Sequence, residues 1–155
     1  MMDGASEPSA KIFLWKLFKR INCAPADDLF DKISDEDIIE VYFTDHTPIF
    51  RSIKFYRETS YTVDEALCST WYDFSKRSLI ITLKVMRKVL TFIKKNHHLT
   101  MPYNVPGHVI EEVGTEFQLR HWMQMKYISG AHKNGKLAAV ISISSIDPLG
   151  RKAAH

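Results

Sequence analysis

Ser60-Tyr61-Thr62-Val63-Asp64-Glu65-Ala66-Leu67-Cys68-Ser69-Thr70-Trp71-Tyr72-Asp73-Phe74 reads as a helical elbow. Thr62 is placed to cap a short helix, its hydroxyl accepting from an amide two or three residues on, and Glu65 three places later completes a capping box. Tyr61 before the cap, and Ala66 and Leu67 after it, point inward. Trp71 and Phe74, three apart, fall on one face of a further turn and demand a large apolar surface beside them.

The flanks supply that surface. Upstream, Ile38–Phe43 is rich in β-formers, with Ile39, Val41 and Phe43 on one face and Glu40 and Tyr42 on the other. Thr44-Asp45-His46-Thr47-Pro48 is turn chemistry, and Ile49–Phe55 is expected to return as a second strand. Downstream, Ser78–Lys95 carries Leu79, Leu83, Met86, Leu90 and Ile93 on one stripe, widened by Val85, Val89 and Phe92. That periodicity predicts an amphipathic helix laid on a sheet, with Lys94, Lys95, His97 and His98 suited to the negative end of its dipole. Met101–Gly107 reads as a loop, and three strands follow: His108–Val113, Phe117–Ile128 and Leu137–Ile146. In the longest, Phe117, Leu119, His121, Met123, Met125 and Tyr127 share a face. Residues 129–135 form the turn before the last strand, ending in Asn134-Gly135.

Residues 1–10 lack periodicity and read as a tail. Between Lys11 and Ile21, Phe13, Leu14, Trp15, Leu17, Phe18 and Ile21, together with Ile12, cover most of a helix and leave a narrow stripe of Lys16, Lys19 and Arg20. Hiding that apolar area is worth many kcal/mol at roughly 25 cal/mol per Å², so the helix is expected against protein, either its own domain or a second copy. Pro25 breaks it, and a short helix with Leu29, Phe30 and Ile33 on its apolar side follows before Ile38.

The chain of 155 residues, 45% hydrophobic and 12% aromatic, suits one domain with a filled core. Cys23 and Cys68 form no CxxC pair and no disulfide framework, which points to a reducing, cytoplasmic setting. No run approaches the roughly 20 apolar residues of a membrane span, and the opening residues lack a signal peptide's basic region. Charge is segregated: residues 1–73 hold 8 basic and 14 acidic side chains, residues 74–110 hold 7 basic and none acidic, and the remainder 6 and 4. Lys76, Arg77, Lys84, Arg87, Lys88, Lys94 and Lys95 make up that middle group. They read first as a solvated face, and second as a surface for an acidic partner or nucleic acid.

The Tyr61-Thr62-x-x-Glu65-x-Leu67 run after two strands, the long helix behind it, and Asn134-Gly135-Lys136 followed by a strand ending at Ile146-Asp147 together resemble the PAS family over residues 38–147. The resemblance implies a sensory or protein-interaction module of a bacterial signalling or transcription regulator. PAS domains hold haem, flavin, metabolites or only another protein. In the light-sensing flavin subgroup a reactive cysteine stands where this chain has Trp71, and Cys68 takes the glycine position, so a flavin adduct is not expected. Cys68 reads instead as a buried small residue. Haem-binding members offer a histidine from the long helix, and there is none between Leu79 and Lys95. His121 is the better candidate ligand, although it reads first as a core histidine bonded to a neighbour. No HExxH, Cys-His cluster, GxGxxG, GxxxxGK[ST] or GxSxG occurs, and the acidic residues fall in loops or on exposed faces, so neither a metal site nor catalysis is expected.

The expectation is therefore an α+β domain: a five-stranded antiparallel sheet with helices on one face and an added N-terminal helix. Residues 1–10 would be a flexible tail, 11–37 a helical extension, 38–147 the PAS-like domain and 148–155 a second tail. A ligand pocket between the long helix and the sheet would be lined by Phe55, Tyr61, Trp71, Phe74, Met86, Leu90, His121, Met123 and Met125. A homodimer would form through Phe13, Leu14, Trp15, Leu17, Phe18 and Ile21 or through the outer sheet face. A PAS domain usually adjoins an output domain, so the chain would be a fragment of a longer regulator or a stand-alone partner. A cone-shaped domain of the NTF2-like kind, some of which are enzymes, is the alternative, although that fold places its long helices before the sheet. A further alternative is binding of an acidic partner or nucleic acid through the basic helix face, with nucleic acid not expected for this domain alone.

Overall fold

A computed structural model of the chain describes residues 9–151. Of the two expected tails, residues 1–8 and 152–155 lie outside the described residues. Ser9 caps the first helix, its hydroxyl accepting from Lys11 N at 3.2 Å, and helix α1 runs Ala10–Ile21. At the other end, residues 148–151 are not tail but the close of the last strand.

The elements in order are α1; β1 (Ala24–Pro25); a single 3₁₀ turn, Phe30–Lys32; β2 (Ile38–Phe43); β3 (Pro48–Arg51); α2 (Ile53–Glu58); α3 (Val63–Leu67); β4 (Ser75–Lys76); α4 (Leu79–Lys95); β5 (Met101–Pro102); β6 (His108–Glu112); β7 (Leu119–Lys133); and β8 (Lys136–Arg151). All strands join one curled antiparallel sheet in the order β3-β2-β8-β7-β6-β4, with β1 and β5 both pairing to β7. β2 pairs with β8 from Ile38↔Ser144 to Phe43↔Ala139, which joins the first half of the chain to the last. The sheet curls because β7 carries bulges at Arg120/His121, Met125/Tyr127 and Ala131/His132.

Helices cover both faces, not one. The elbow and α4 pack on one side over Ile38, Tyr42, Met123, Met125, Ile128 and Val140. On the other, Leu14 and Phe18 of α1 pack with Leu29 and Ile33 against Ile39, Val41, Ala139, Ile141 and Ile143. The outer sheet face, expected as an alternative dimer surface, is covered by the chain's own N-terminal segment.

The second strand is shorter than expected because Ser52 ends it. Its hydroxyl accepts from Ile39 N at 3.1 Å, after which the chain turns into α2 and carries Phe55 on a helix. The segment after Pro25 forms only the 3₁₀ turn, and Asp28 accepts from Thr100 N at 3.0 Å instead of supporting a helix N-terminus. β7 continues through Lys133, so the turn is Asn134-Gly135 alone, both with positive φ (53° and 77°), as a two-residue hairpin requires. Gly130 lies where a Cβ would stand 3.2 Å from Phe92 Cε1 and 2.3 Å from Leu137 Cδ1. Its missing side chain lets α4 settle on the sheet.

Candidate functional site

The elbow forms where its residues predict it, except that Leu67, expected to point inward, is exposed at the end of the short helix. Thr62 and Glu65 make the full capping box, and Tyr61, Ala66, Trp71 and Phe74 are buried, while Leu67 and Cys68 face solvent. Cys68 is therefore not the buried small residue expected, because the helix ends there with its outer side uncovered. Tyr61 ties the elbow to the sheet: its hydroxyl donates to Phe74 O and accepts from Val113 N at 3.0 Å. Burial, foremost, raises its pKa to about 12.

Under the elbow lies a buried ionic cluster. Glu40 and Arg51 are cross-strand partners on β2 and β3. Arg51 Nε is 3.3 Å from Glu40 Oε2, Nη2 donates to Tyr42 Oη at 3.0 Å, and Nη1 donates to Ala66 O of the elbow. Tyr42 Oη donates to Glu40 Oε2. The Arg51 guanidinium lies 4.7 Å from the centre of the Phe74 ring. Both ionic side chains are almost wholly out of solvent. Burial first, and then the Glu40 charge, push the Tyr42 hydroxyl's pKa well above its ordinary value, which keeps it a donor.

Arg77 enters the same interior from the residue after β4. Ser75 is buried and Lys76 exposed, so alternation turns Arg77 inward. Its nearest partners are weak: Ser75 Oγ at 3.4 Å, Met125 Sδ at 4.0 Å and the Trp71 ring at 5.8 Å. Its Nε is buried without a partner, and among the described residues no carboxylate pairs with it. Burial lowers its pKa, with Glu40, Tyr42 and Tyr103 acting in the opposite sense.

Between α4 and the sheet Arg77 lines a cavity of about 30 Å³, room for roughly two waters. Its polar end holds Glu40, Tyr42, Tyr103 and Ser142, and its apolar wall is Val85, Val89, Ile93, Met123, Met125 and Val140. Trp71 and His46 stand on the same rim. Trp71 Nε1 donates to His46 Nδ1 at 3.1 Å. Tyr103 donates to Ser142 Oγ at 3.1 Å, and burial raises its pKa. A smaller void of about 10 Å³ lies beyond Arg77 and Glu40, bounded by Phe55, Tyr61, His121 and Glu112.

Glu112 is the hub of that second region. Its carboxylate accepts from Ser60 N at 2.8 Å, Ser60 Oγ, Thr115 Oγ1 at 2.8 Å, Leu119 N at 3.2 Å and His121 Nε2 at 3.1 Å. Burial pushes the carboxyl's pKa up, but these donors outweigh it and hold it below the usual carboxylate range. His121, wholly buried, therefore has a carboxylate as its partner.

No protein-family model matches the chain, and no curated protein matches it.

Of the nine expected pocket residues, Trp71, Phe74, Met123 and Met125 line the larger cavity, and Phe55, Tyr61 and His121 line the smaller one. Met86 packs at the edge of the core but lines neither. Leu90 is half exposed and lines neither cavity: α4 turns Val85, Val89 and Phe92 to the core and leaves Leu79, Ile80, Leu83 and Leu90 outside. Tyr127 also changes face, because the bulge at Met125/Tyr127 sends Ile128 into this core and Tyr127 to the other. Glu40 and Glu112 are buried and paired, not loop or surface acids. Arg77 is no part of a solvated face. Among the six residues expected to form a dimer, Leu14 and Phe18 are buried against the chain's own sheet, Phe13, Leu17 and Ile21 are partly covered, and Trp15 is exposed with Lys19 Nζ 3.6 Å from its ring centre.

Among the described residues no group of three His, Cys, Asp or Glu side chains is placed to hold a metal ion. No helix among them is long and apolar enough to cross a membrane.

Proposed function

We propose that the chain is a sensory module of the PAS kind, with a small-ligand compartment between α4 and the sheet. One observation carries this: β2 pairs along β8 while the elbow and α4 bridge from β3 to the later strands, closing one shared interior that contains a cavity with a polar end and an apolar wall. The elbow's capping box and the Asn134-Gly135 hairpin agree with that reading. A sensor needs a ligand to alter an element that can move. Trp71 and Phe74 of the elbow and Val85 and Val89 of α4 all touch the cavity, so its occupancy bears on both. Native mass spectrometry of the purified chain with an absorbance scan tests the proposal. The expected result is a retained small molecule or saturable uptake of one. A chain that takes up no polar or apolar small molecule contradicts it.

The face of α4 away from the core supports a second role in protein interaction. Leu79, Leu83 and Leu90, respectively 72%, 60% and 50% exposed, form a seam beside the exposed Lys84, Arg87 and Lys94. An apolar seam gains nothing from a phosphate backbone, so the fitting partner is an amphipathic protein helix bearing acids, not nucleic acid. Leu83→Glu should abolish capture of such a helix without unfolding the chain. Capture of duplex DNA with steep salt dependence would reverse the assignment.

A further inference from the structure

Charge is segregated along the sequence, and the fold sets the two signs side by side. Residues 74–110 hold 7 basic side chains and no acidic one, whereas residues 1–73 hold 14 acidic and 8 basic. α4 belongs to the first stretch and α3 to the second, and both pack on the same side of the sheet: Trp71 and Phe74 of the elbow and Val85 and Val89 of α4 wall one cavity. What either leaves exposed therefore faces away from the sheet. Around the seam of Leu79, Leu83 and Leu90 stand Lys84, Arg87 and Lys94, and among the described residues none of these three cations has a carboxylate partner. On α3 only Ala66 is buried. Val63 and Leu67, four apart and hence on one side of the turn, are exposed, with Asp64 beside them and the exposed Tyr72 further along the elbow. The chain thus carries a basic-bordered apolar seam and, next to it, the kind of acidic, apolar-sided helix that would fit such a seam.

We infer that the occupant of the α4 seam is a second copy of this chain, docked with its α3 elbow on the seam. This rests on the protein-interaction role proposed above for α4 and names its partner. Because seam and elbow lie on one face, a two-fold axis between them makes both contacts at once: α4 of each protomer meets the elbow of the other, and the assembly closes at two copies. Val63, Leu67 and Tyr72 then cover the leucines of the seam, and Asp64 supplies a counter-charge to Lys84 and Arg87. Laying α4 on α4 would instead set basic side chains against basic ones, and like charges across an interface cost affinity.

Sedimentation equilibrium of the full chain tests this. It should show a monomer–dimer equilibrium that added salt weakens. Leu83→Glu should be monomeric with an unchanged circular dichroism spectrum and melting temperature, since that side chain is mostly exposed. The decisive measurement is a charge exchange. The double variant Lys84→Glu, Arg87→Glu and, separately, Asp64→Lys should each weaken self-association by about tenfold or more. An equimolar mixture of the two should form a mixed dimer of nearly wild-type strength, because one of its contacts carries both reversals and the other carries none. A chain that stays monomeric, one that grows past a dimer with concentration, or a mixture that fails to recover the dimer overturns the second-copy assignment. A synthetic amphipathic helix of leucine and glutamate separates that failure from failure of the underlying role. Its capture by the monomeric wild type and not by Leu83→Glu leaves the seam standing as a docking site for another protein. Absence of both dimer and capture overturns both.

Discussion

Arg51 and Glu40 face each other across β2 and β3, Nε to Oε2 at 3.3 Å, both nearly inaccessible to solvent. The same guanidinium holds the carbonyl of Ala66, so a cross-strand pair also positions the elbow. Removing one member leaves the other as a buried unpaired charge, which typically costs about 3–5 kcal/mol. Arg51→Met should lower the unfolding free energy by that order in urea titration. The double variant Arg51→Met, Glu40→Leu should recover much of the loss, giving a large coupling energy in a double-mutant cycle.

Stability should fall in two stages with acid. His108 is held below its ordinary 6.5, first by burial, with its Pro106 carbonyl partner acting the other way. A folded pKa below the unfolded one contributes stability that is complete above 6.5 and is lost as pH drops through the depressed value. Glu112, held below 4.5 by its donors against burial, behaves likewise at lower pH, complete above 4.5 and lost beneath it. Unfolding curves taken from pH 8 to pH 3 should show both stages. His108→Leu should remove the upper and Glu112→Gln the lower. His132, also depressed by burial but partly exposed, adds little to the upper stage. A profile unchanged by both substitutions would contradict the assignment.

The rotation of α4 gives a clean contrast between neighbouring residues. Phe92, 2% exposed, should cost about 3–5 kcal/mol when truncated to Ala. Leu90, 50% exposed, should change stability by less than about 0.5 kcal/mol for the same substitution. Thermal unfolding of the two variants checks this.

Asn96 closes α4 with φ of 52° and binds the β7–β8 hairpin, its Nδ2 donating to Gly135 O at 3.0 Å and its Oδ1 accepting from Leu137 N at 2.7 Å. Asn96→Gly keeps the left-handed geometry and loses only the two bonds, an expected cost of about 1–2 kcal/mol. Asn96→Ala adds the strain of a Cβ in that region, about 1 kcal/mol more. Denaturant midpoints of the two variants separate the contributions.

What the sequence announced, and what it hid, divides along physical lines. The capping box, the Asn134-Gly135 hairpin and the extent of α4 were legible because each is set by local chemistry at fixed spacing. Leu90 and Tyr127 were misplaced because a broad apolar helix stripe does not reveal which part meets the sheet, and a bulge inverts strand alternation without a sequence mark. Arg77 was missed for a related reason. It stands beside Lys76 in a basic stretch, and the two-residue strand that turns it inward carries no periodicity. Tyr103 lay in a proline-bearing segment read as loop, yet it packs in the core. The alternation Glu40-Val41-Tyr42 did place Glu40 and Tyr42 on one face. Only the pairing of β2 with β3 shows that Arg51 meets them there.

The most direct test of the central claim is a high-resolution crystal structure of the chain as purified. The account predicts a bound small molecule between α4 and the sheet. An interior closed by protein side chains alone would contradict it.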